Sequence, residues 1–291
     1  MTHRTTSDRS GDGPLAYYCS QTALTELGPH AAAIASLPDD VPSLVGVVQG
    51  LLIHGDWLDL YHLTDADFAD AARATHPIAT RLDIVLALDA APLEQPRPPR
   101  RRSVSTCRDY ALMLTALLRA KAVPARVRCG FATYFDEGRF EDHWVCEYWR
   151  CDEARWAIAD AQLDAEHRAH LAIGFDGSDL PTGAFLNAAA AWQLYRSGKE
   201  DAARFGHGEA TGAWFLRINL ARDLLALRKQ ETSLWDRWRE APADARVTGA
   251  DAVWAGDTLA DLIVRIESGH PPDDAIATAA MLEPFWLRPA A

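Results

Sequence analysis

Three residues in the middle of the chain have side chains and an order that suit nucleophilic catalysis. Cys107 opens a long apolar segment, and His143 and Asp160 follow it in two runs rich in aromatic and β-branched residues. A thiol becomes an effective nucleophile when a nearby base takes its proton, and that base needs a carboxylate to orient its ring. The three residues therefore predict a Cys-His-Asp triad for acyl transfer, provided that the fold brings their side chains together.

The segment from Cys107 to Lys121 predicts the helix that would carry the nucleophile. It contains no Gly or Pro, and its apolar residues surround the helix almost completely, which is typical of a buried helix. Ser105 and Thr106 are good N-caps, and Asp109 falls in the first turn, where a negative charge suits the helix dipole. Cys107 would then lie at the helix N-terminus, where a thiolate is stabilised.

Strand patterns follow the helix and would carry the histidine and the aspartate. Residues 125–135, 139–150 and 156–160 show the alternation of strands and are separated by turn residues. His143 lies on the second strand and Asp160 on the third. A helix packed on this antiparallel meander can lay its first residue against the neighbouring strands, so we predict an α+β fold.

The same stretch resembles the core of the transglutaminase-like superfamily, one of the papain-like cysteine-protease folds. The chain departs from the family pattern at two turns, because Ser105 and Ala122 stand where the family usually has Gly. The pieces that carry the resemblance are Cys107 with the residues that follow it, the strand entry Pro124, Ala125 and Arg126, the run Asp142, His143, Trp144 and Val145, and the pair Ala159 and Asp160.

The resemblance implies a fold and a set of site residues. The fold is a papain-like or transglutaminase-like core, in which the cysteine helix packs on an antiparallel sheet, with helical flanks on both sides. Cys107, His143 and Asp160 would be catalytic, and neither a metal nor a cofactor is implied. An oxyanion hole would use the backbone N–H of Cys107. Papain-like enzymes add an upstream polar side chain, for which Gln49 is the candidate in this chain.

Several of these residues also fit a purely structural role. Free Cys is often a small buried hydrophobe, so Cys107 alone would not predict catalysis. The three residues Cys107, His143 and Asp160 together do predict it. Gln49 fits an exposed helix position equally well, and the aromatic candidates fit a core. The residues that we expect to line a substrate pocket are Tyr134, Trp144, His207 and Trp214.

Composition excludes several classes of function. The net charge of −12 argues against a nucleic-acid partner, since phosphate binding needs a basic surface. Five Cys without paired spacing indicate reduced thiols and a cytoplasmic location, and no targeting segment or membrane-spanning apolar run is present. The sequence also lacks a phosphate-binding glycine motif or clustered metal ligands.

Changes in composition divide the chain into four parts. We predict a disordered tail over residues 1–15, a helical part over 16–95, the catalytic core over 100–165, and a mostly helical part over 166–291 that packs on the core. A glycine-rich stretch at 205–212 is expected to be a mobile loop near the site.

Two functional hypotheses follow. In the first, the triad attacks an amide or thioester of a small-molecule or peptide substrate, forms a thioester acyl-enzyme, and passes the acyl group to water or to an amine. In the second, the chain is a binding or scaffold protein that kept the fold. The sequence leaves the acyl donor and the oligomeric state open.

Overall fold

The computed structural model describes residues 13–69, 73–270 and 281–287; most of the tail predicted for residues 1–15 lies outside these ranges. The helices, labelled α1 to α9 in chain order, are Pro14–Tyr17, Ala31–Ala35, Val41–Leu51, Ile78–Leu88, Cys107–Ala120, Ala165–His170, Ala188–Arg196, Ala213–Leu227 and Ala250–Glu267. The strands β1 to β8 are Leu52–His54, Ser103–Ser105, Ala125–Ala132, Phe140–Arg150, Arg155–Ala159, Phe185–Asn187, Phe205–His207 and Ala210–Thr211.

The centre of the fold is the cysteine helix packed on an antiparallel meander. Strand β4 pairs with β3 on one side and with β5 on the other, both antiparallel. Helix α5 is buried from Arg108 to Arg119 because nearly all its faces are apolar, and it packs on β3 and β4. The α+β prediction is confirmed, and the predicted helix and strands form where the sequence pattern indicates them.

Short strands outside the meander correct two expectations. The N-terminal part is not all helical, because β1 follows α3 directly and pairs in parallel with β2, with His54 opposite Ser105. The glycine-rich stretch expected to be a mobile loop contains β7 and β8. Gly206 allows this pairing, since a Cβ there would lie 2.1 Å from the carbonyl oxygen of Ala210.

The C-terminal part contributes both helices and sheet edges to the core. Strands β6 and β7 extend the sheet beside β3 and β4, and α8 packs across β3. The guanidinium of Arg128 on β3 is buried and bonds to both carboxylate oxygens of Asp223 on α8 at 2.8 and 2.9 Å. A buried charge of this kind needs a partner, so this bidentate pair fixes α8 on the sheet. None of the helices in the described ranges has the length and apolar character needed to cross a bilayer.

Candidate active site

The first turn of α5 holds Cys107 by side-chain capping and a buried ion pair. The Asp109 carboxylate accepts the Thr106 backbone N–H at 2.8 Å, which closes a capping box around the helix start. Its other oxygen pairs with Arg81 at 2.9 Å, with both side chains only 2% exposed. Arg81 also donates to the carbonyl of Val104 on β2. These bonds anchor the turn that carries the thiol to the strand before it.

His143 and Asp160 form a buried pair on neighbouring strands. His143 lies on β4, Asp160 directly follows β5, and the two side chains are 2% and 1% exposed. The Nε2–H of His143 donates to Asp160 at 2.8 Å, so Nδ1 is the nitrogen left to exchange a proton with the thiol. This is the arrangement that lets a carboxylate fix the tautomer of a catalytic imidazole.

The electrostatics of the pair favour an imidazolium. Burial by itself opposes charge on His143, but the carboxylate of Asp160 and the side chain of Cys107 act on the ring and raise its pKa to about 10. Burial likewise opposes charge on Asp160, and the attraction of His143 outweighs it, so the pKa of the carboxyl group is lowered. Both shifts describe one ion pair held beside Cys107.

Two further groups hold the carboxylate of Asp160 in place. The hydroxyl of Tyr134 donates to it at 2.6 Å, and the backbone N–H of Gln162 donates at 2.9 Å. Tyr134 was expected to line the substrate pocket, but it is not among the residues that do so. The structure places it behind the pair, where it orients the aspartate.

Cys107 and His143 open into a cavity of about 560 Å³. Its lining combines aromatic rings with acidic and basic side chains in similar numbers. The residues around it are His54, Asp56, Trp57, Arg73, Thr75, Thr106, Cys107, Arg108, Phe135, Asp136, Glu141, Asp142, His143, Trp144, Gln162, His207, Arg222, Asp236, Trp238 and Arg239.

The C-terminal part supplies one wall of this cavity. Trp144 lies between two guanidinium groups, with Arg108 at 4.0 Å and Arg222 at 4.9 Å from its ring centroid. Arg108 donates to Asp236 at 2.7 Å, and Arg222 donates to Asp142 at 3.1 Å. Arg108, the residue after Cys107, thus binds a segment 128 positions farther along the chain.

His207 lies at the more open side of the same cavity. Its Nδ1–H donates to Glu141 on β4 at 2.6 Å, and the side chains are 39% and 24% exposed. The hydrogen bond to Glu141 raises the pKa of His207. Trp144 and His207, both expected at the pocket, therefore line the cavity with Cys107.

Besides Tyr134, two more expected site residues do not reach the cavity. Gln49 lies in α3, and it is absent from the lining because the face of this helix that carries Leu44 and Val48 packs into the core. Trp214 is 5% exposed, packs on Phe215, and donates its indole N–H to the carbonyl of Thr211 at 2.8 Å. Trp214 is therefore a core residue, and Gln49, the expected oxyanion donor, lies outside the lining of the cavity.

His54 and Asp236 also line the cavity, and the sequence patterns did not predict them there. His54 ends a strand of three residues, which is too short to show periodicity, and its place beside Cys107 comes from pairing with β2. Asp236 is brought in by Arg108, and no local pattern indicates such a pair. Within residues 13–69, 73–270 and 281–287, no group of three or more His, Cys, Asp or Glu side chains could hold a metal ion.

Comparison with known proteins agrees with this core. Residues 90–161 match the family model of the transglutaminase-like superfamily. Among solved structures, the chain is similar to a candidate cysteine protease from Cytophaga hutchinsonii, with 15% identity and a TM-score of 0.34 over 60% of this chain and 46% of that one. This chain thus spans less than half the length of that structure. Comparison with curated proteins gives no match. The segment that matches the transglutaminase-like superfamily contains Cys107, His143 and Asp160.

Proposed function

We propose that the protein is a cysteine-dependent acyltransferase or hydrolase acting on an amide or thioester. The observation that supports this most is the buried hydrogen bond of 2.8 Å between His143 and Asp160. It holds the imidazole of His143 beside Cys107 at the start of α5. An imidazolium next to a helix N-terminal cysteine stabilises the thiolate, the form that attacks a carbonyl.

The reaction would proceed in two steps. The Cys107 thiolate bonds to the carbonyl carbon, and the leaving amine or thiol departs with a proton from His143. Water or an amine then bonds to the carbonyl carbon of the thioester and gives a proton to His143, and the C–S bond breaks to release the acyl product and the Cys107 thiolate. Asp160 holds the imidazole tautomer through both steps and stays ionised.

The lining supports a small or narrow acyl substrate with an apolar part. Trp57, Phe135, Trp144 and Trp238 supply aromatic surface, while most charged side chains of the lining are paired with each other. A substrate that buries apolar surface against these rings would gain affinity without needing a net charge.

The C-terminal wall of the cavity favours transfer of the acyl group to an amine over its hydrolysis. The C-terminal side of the cavity is lined by His207, Arg222, Asp236, Trp238 and Arg239. These side chains would cover that side of the acyl-enzyme and limit the access of water to it. The partition can be measured with acyl-Cys107 and a primary amine. We expect Trp238→Ala and His207→Ala to shift the products toward hydrolysis. If both variants keep the wild-type ratio of amide to hydrolysis product, the C-terminal part has only a structural role in a hydrolase.

Thiol labelling tests the proposal against the scaffold alternative. Cys151 is exposed and lies outside the cavity, so it is an internal control for ordinary thiol reactivity. With limiting iodoacetamide at neutral pH, we expect Cys107 to react before Cys151, and His143→Ala to remove this advantage. Equal labelling of both thiols in the wild-type protein would favour a scaffold.

A further inference from the structure

His54 lies next to the nucleophile through the pairing of two short strands. It ends β1, opposite Ser105 on β2, and Cys107 comes two positions after Ser105. Its side chain lines the cavity together with Cys107 and His143. It is only 7% exposed, so its position is fixed by the surrounding packing.

One hydrogen bond sets the tautomer of this imidazole. The backbone N–H of Asp56 donates to Nδ1 of His54 at 3.1 Å, and Nδ1 can accept that bond only if it carries no proton. The proton of the neutral ring is therefore on Nε2. No described residue forms a hydrogen bond with Nε2, so this N–H is the unused donor of a side chain that faces the cavity.

The ring is also held neutral. Burial is the main cause that lowers the pKa of His54 to about 3; the carboxylate of Asp56 opposes it, and the positive charge of His143 adds to it. A neutral imidazole can donate a hydrogen bond without competing with His143 for the role of acid, because it does not readily give up its Nε2 proton.

We propose that the Nε2–H of His54 is the second donor of the oxyanion hole, beside the backbone N–H of Cys107. This rests on the acyl-transfer function proposed above. When the thiolate bonds to the carbonyl carbon, the π electron pair moves to oxygen and creates the oxyanion. His54 donates to that oxygen and keeps its proton. The C=O bond then re-forms as the bond to the leaving group breaks. The role that the sequence analysis gave to Gln49 passes to His54.

Two reactions of the same thiol separate this inference from the proposed function. Alkylation by iodoacetamide forms no oxyanion, whereas acylation by 4-nitrophenyl acetate passes through one. For His54→Ala, we expect the acylation rate of Cys107 to fall by about 10²–10³-fold, with alkylation unchanged. His54→Gln, which keeps an N–H donor, should recover part of the loss. Gln49→Ala should acylate like the wild-type protein.

The outcomes are distinct. Fast alkylation of Cys107 with equal acylation rates in wild-type protein and His54→Ala would overturn the role of His54 alone. Slow alkylation of Cys107 in the wild-type protein would overturn the proposed function and this inference with it. Should His54→Ala not fold, ¹⁵N NMR of the imidazole in Cys107→Ala decides: a neutral ring with its proton on Nε2 between about pH 5 and 8 is expected, and an Nδ1–H tautomer or an imidazolium would overturn the assignment.

Discussion

Two histidines that line the cavity each bind a carboxylate, at similar distances but in very different surroundings. His143 and Asp160 are separated by 2.8 Å and are at most 2% exposed; His207 and Glu141 are separated by 2.6 Å and are 39% and 24% exposed. Water screens the second pair and leaves the first one unscreened. In the buried pair, the carboxylate therefore controls both the charge and the tautomer of its histidine. In the exposed pair, the same contact mainly positions a side chain of the wall.

Replacing each histidine by alanine should give the largest difference in reaction rate between the two pairs. We expect His143→Ala to lower the acylation rate of Cys107 by on the order of 10⁴-fold, because both the general base and the thiolate partner are lost. His207→Ala should lower the acylation rate by at most about fivefold, because an exposed ion pair contributes no more than about 1 kcal/mol. Stopped-flow measurement with 4-nitrophenyl acetate checks both, and comparable losses would contradict the division of roles.

Neutralising each carboxylate sharpens the comparison. Asp160→Asn keeps the volume but allows the wrong imidazole tautomer, so we expect a loss of about 10³–10⁴-fold in turnover. The matched change Glu141→Gln keeps a hydrogen-bond acceptor at the cavity wall and should have little effect. Full activity in Asp160→Asn would show that the aspartate does not orient the base.

The charge of His143 can be measured directly. Its pKa of about 10 predicts an imidazolium across the neutral range, and an NMR titration should find its midpoint near that value. Because this pKa is raised above the ordinary 6.5, the stability it contributes is fully present below about pH 6.5 and is lost as the pH rises through about 10. In Asp160→Asn the titration midpoint of His143 should move down toward 6.5. An unchanged midpoint would show that Asp160 does not cause the raised pKa.

Tyr134→Phe should have the smallest effect of the set. It deletes one hydrogen bond to Asp160 and leaves the contacts of the ring, so we expect a loss of about 1 kcal/mol in transition-state stabilisation, or roughly fivefold in rate. A change in substrate KM with no change in kcat would instead return Tyr134 to the substrate pocket, where the sequence analysis expected it.

Local patterns predicted the elements that carry the triad, because the information is contained in the segments themselves. Helix α5 follows from caps and an unbroken apolar run, and strands β3 to β5 follow from alternation between turns. His54 was not predictable in this way, since its position depends on a strand pair between distant segments. The predictions for Trp214 and Gln49 were wrong for a related reason. The residue type suggested a place at the cavity, but the orientation of each helix decides which of its side chains reach the cavity.

The long-range bond between Arg108 and Asp236 also has a consequence for the order in which the protein is made. The two residues are 128 positions apart, and the ribosome delivers Cys107 well before Asp236. A nascent chain can form α5 early, yet the cation beside its thiol lacks a counter-ion, and the cavity lacks its C-terminal wall. We therefore expect the cavity beside Cys107 to be completed only after the segment that carries Asp236 has been synthesised and has docked on the core.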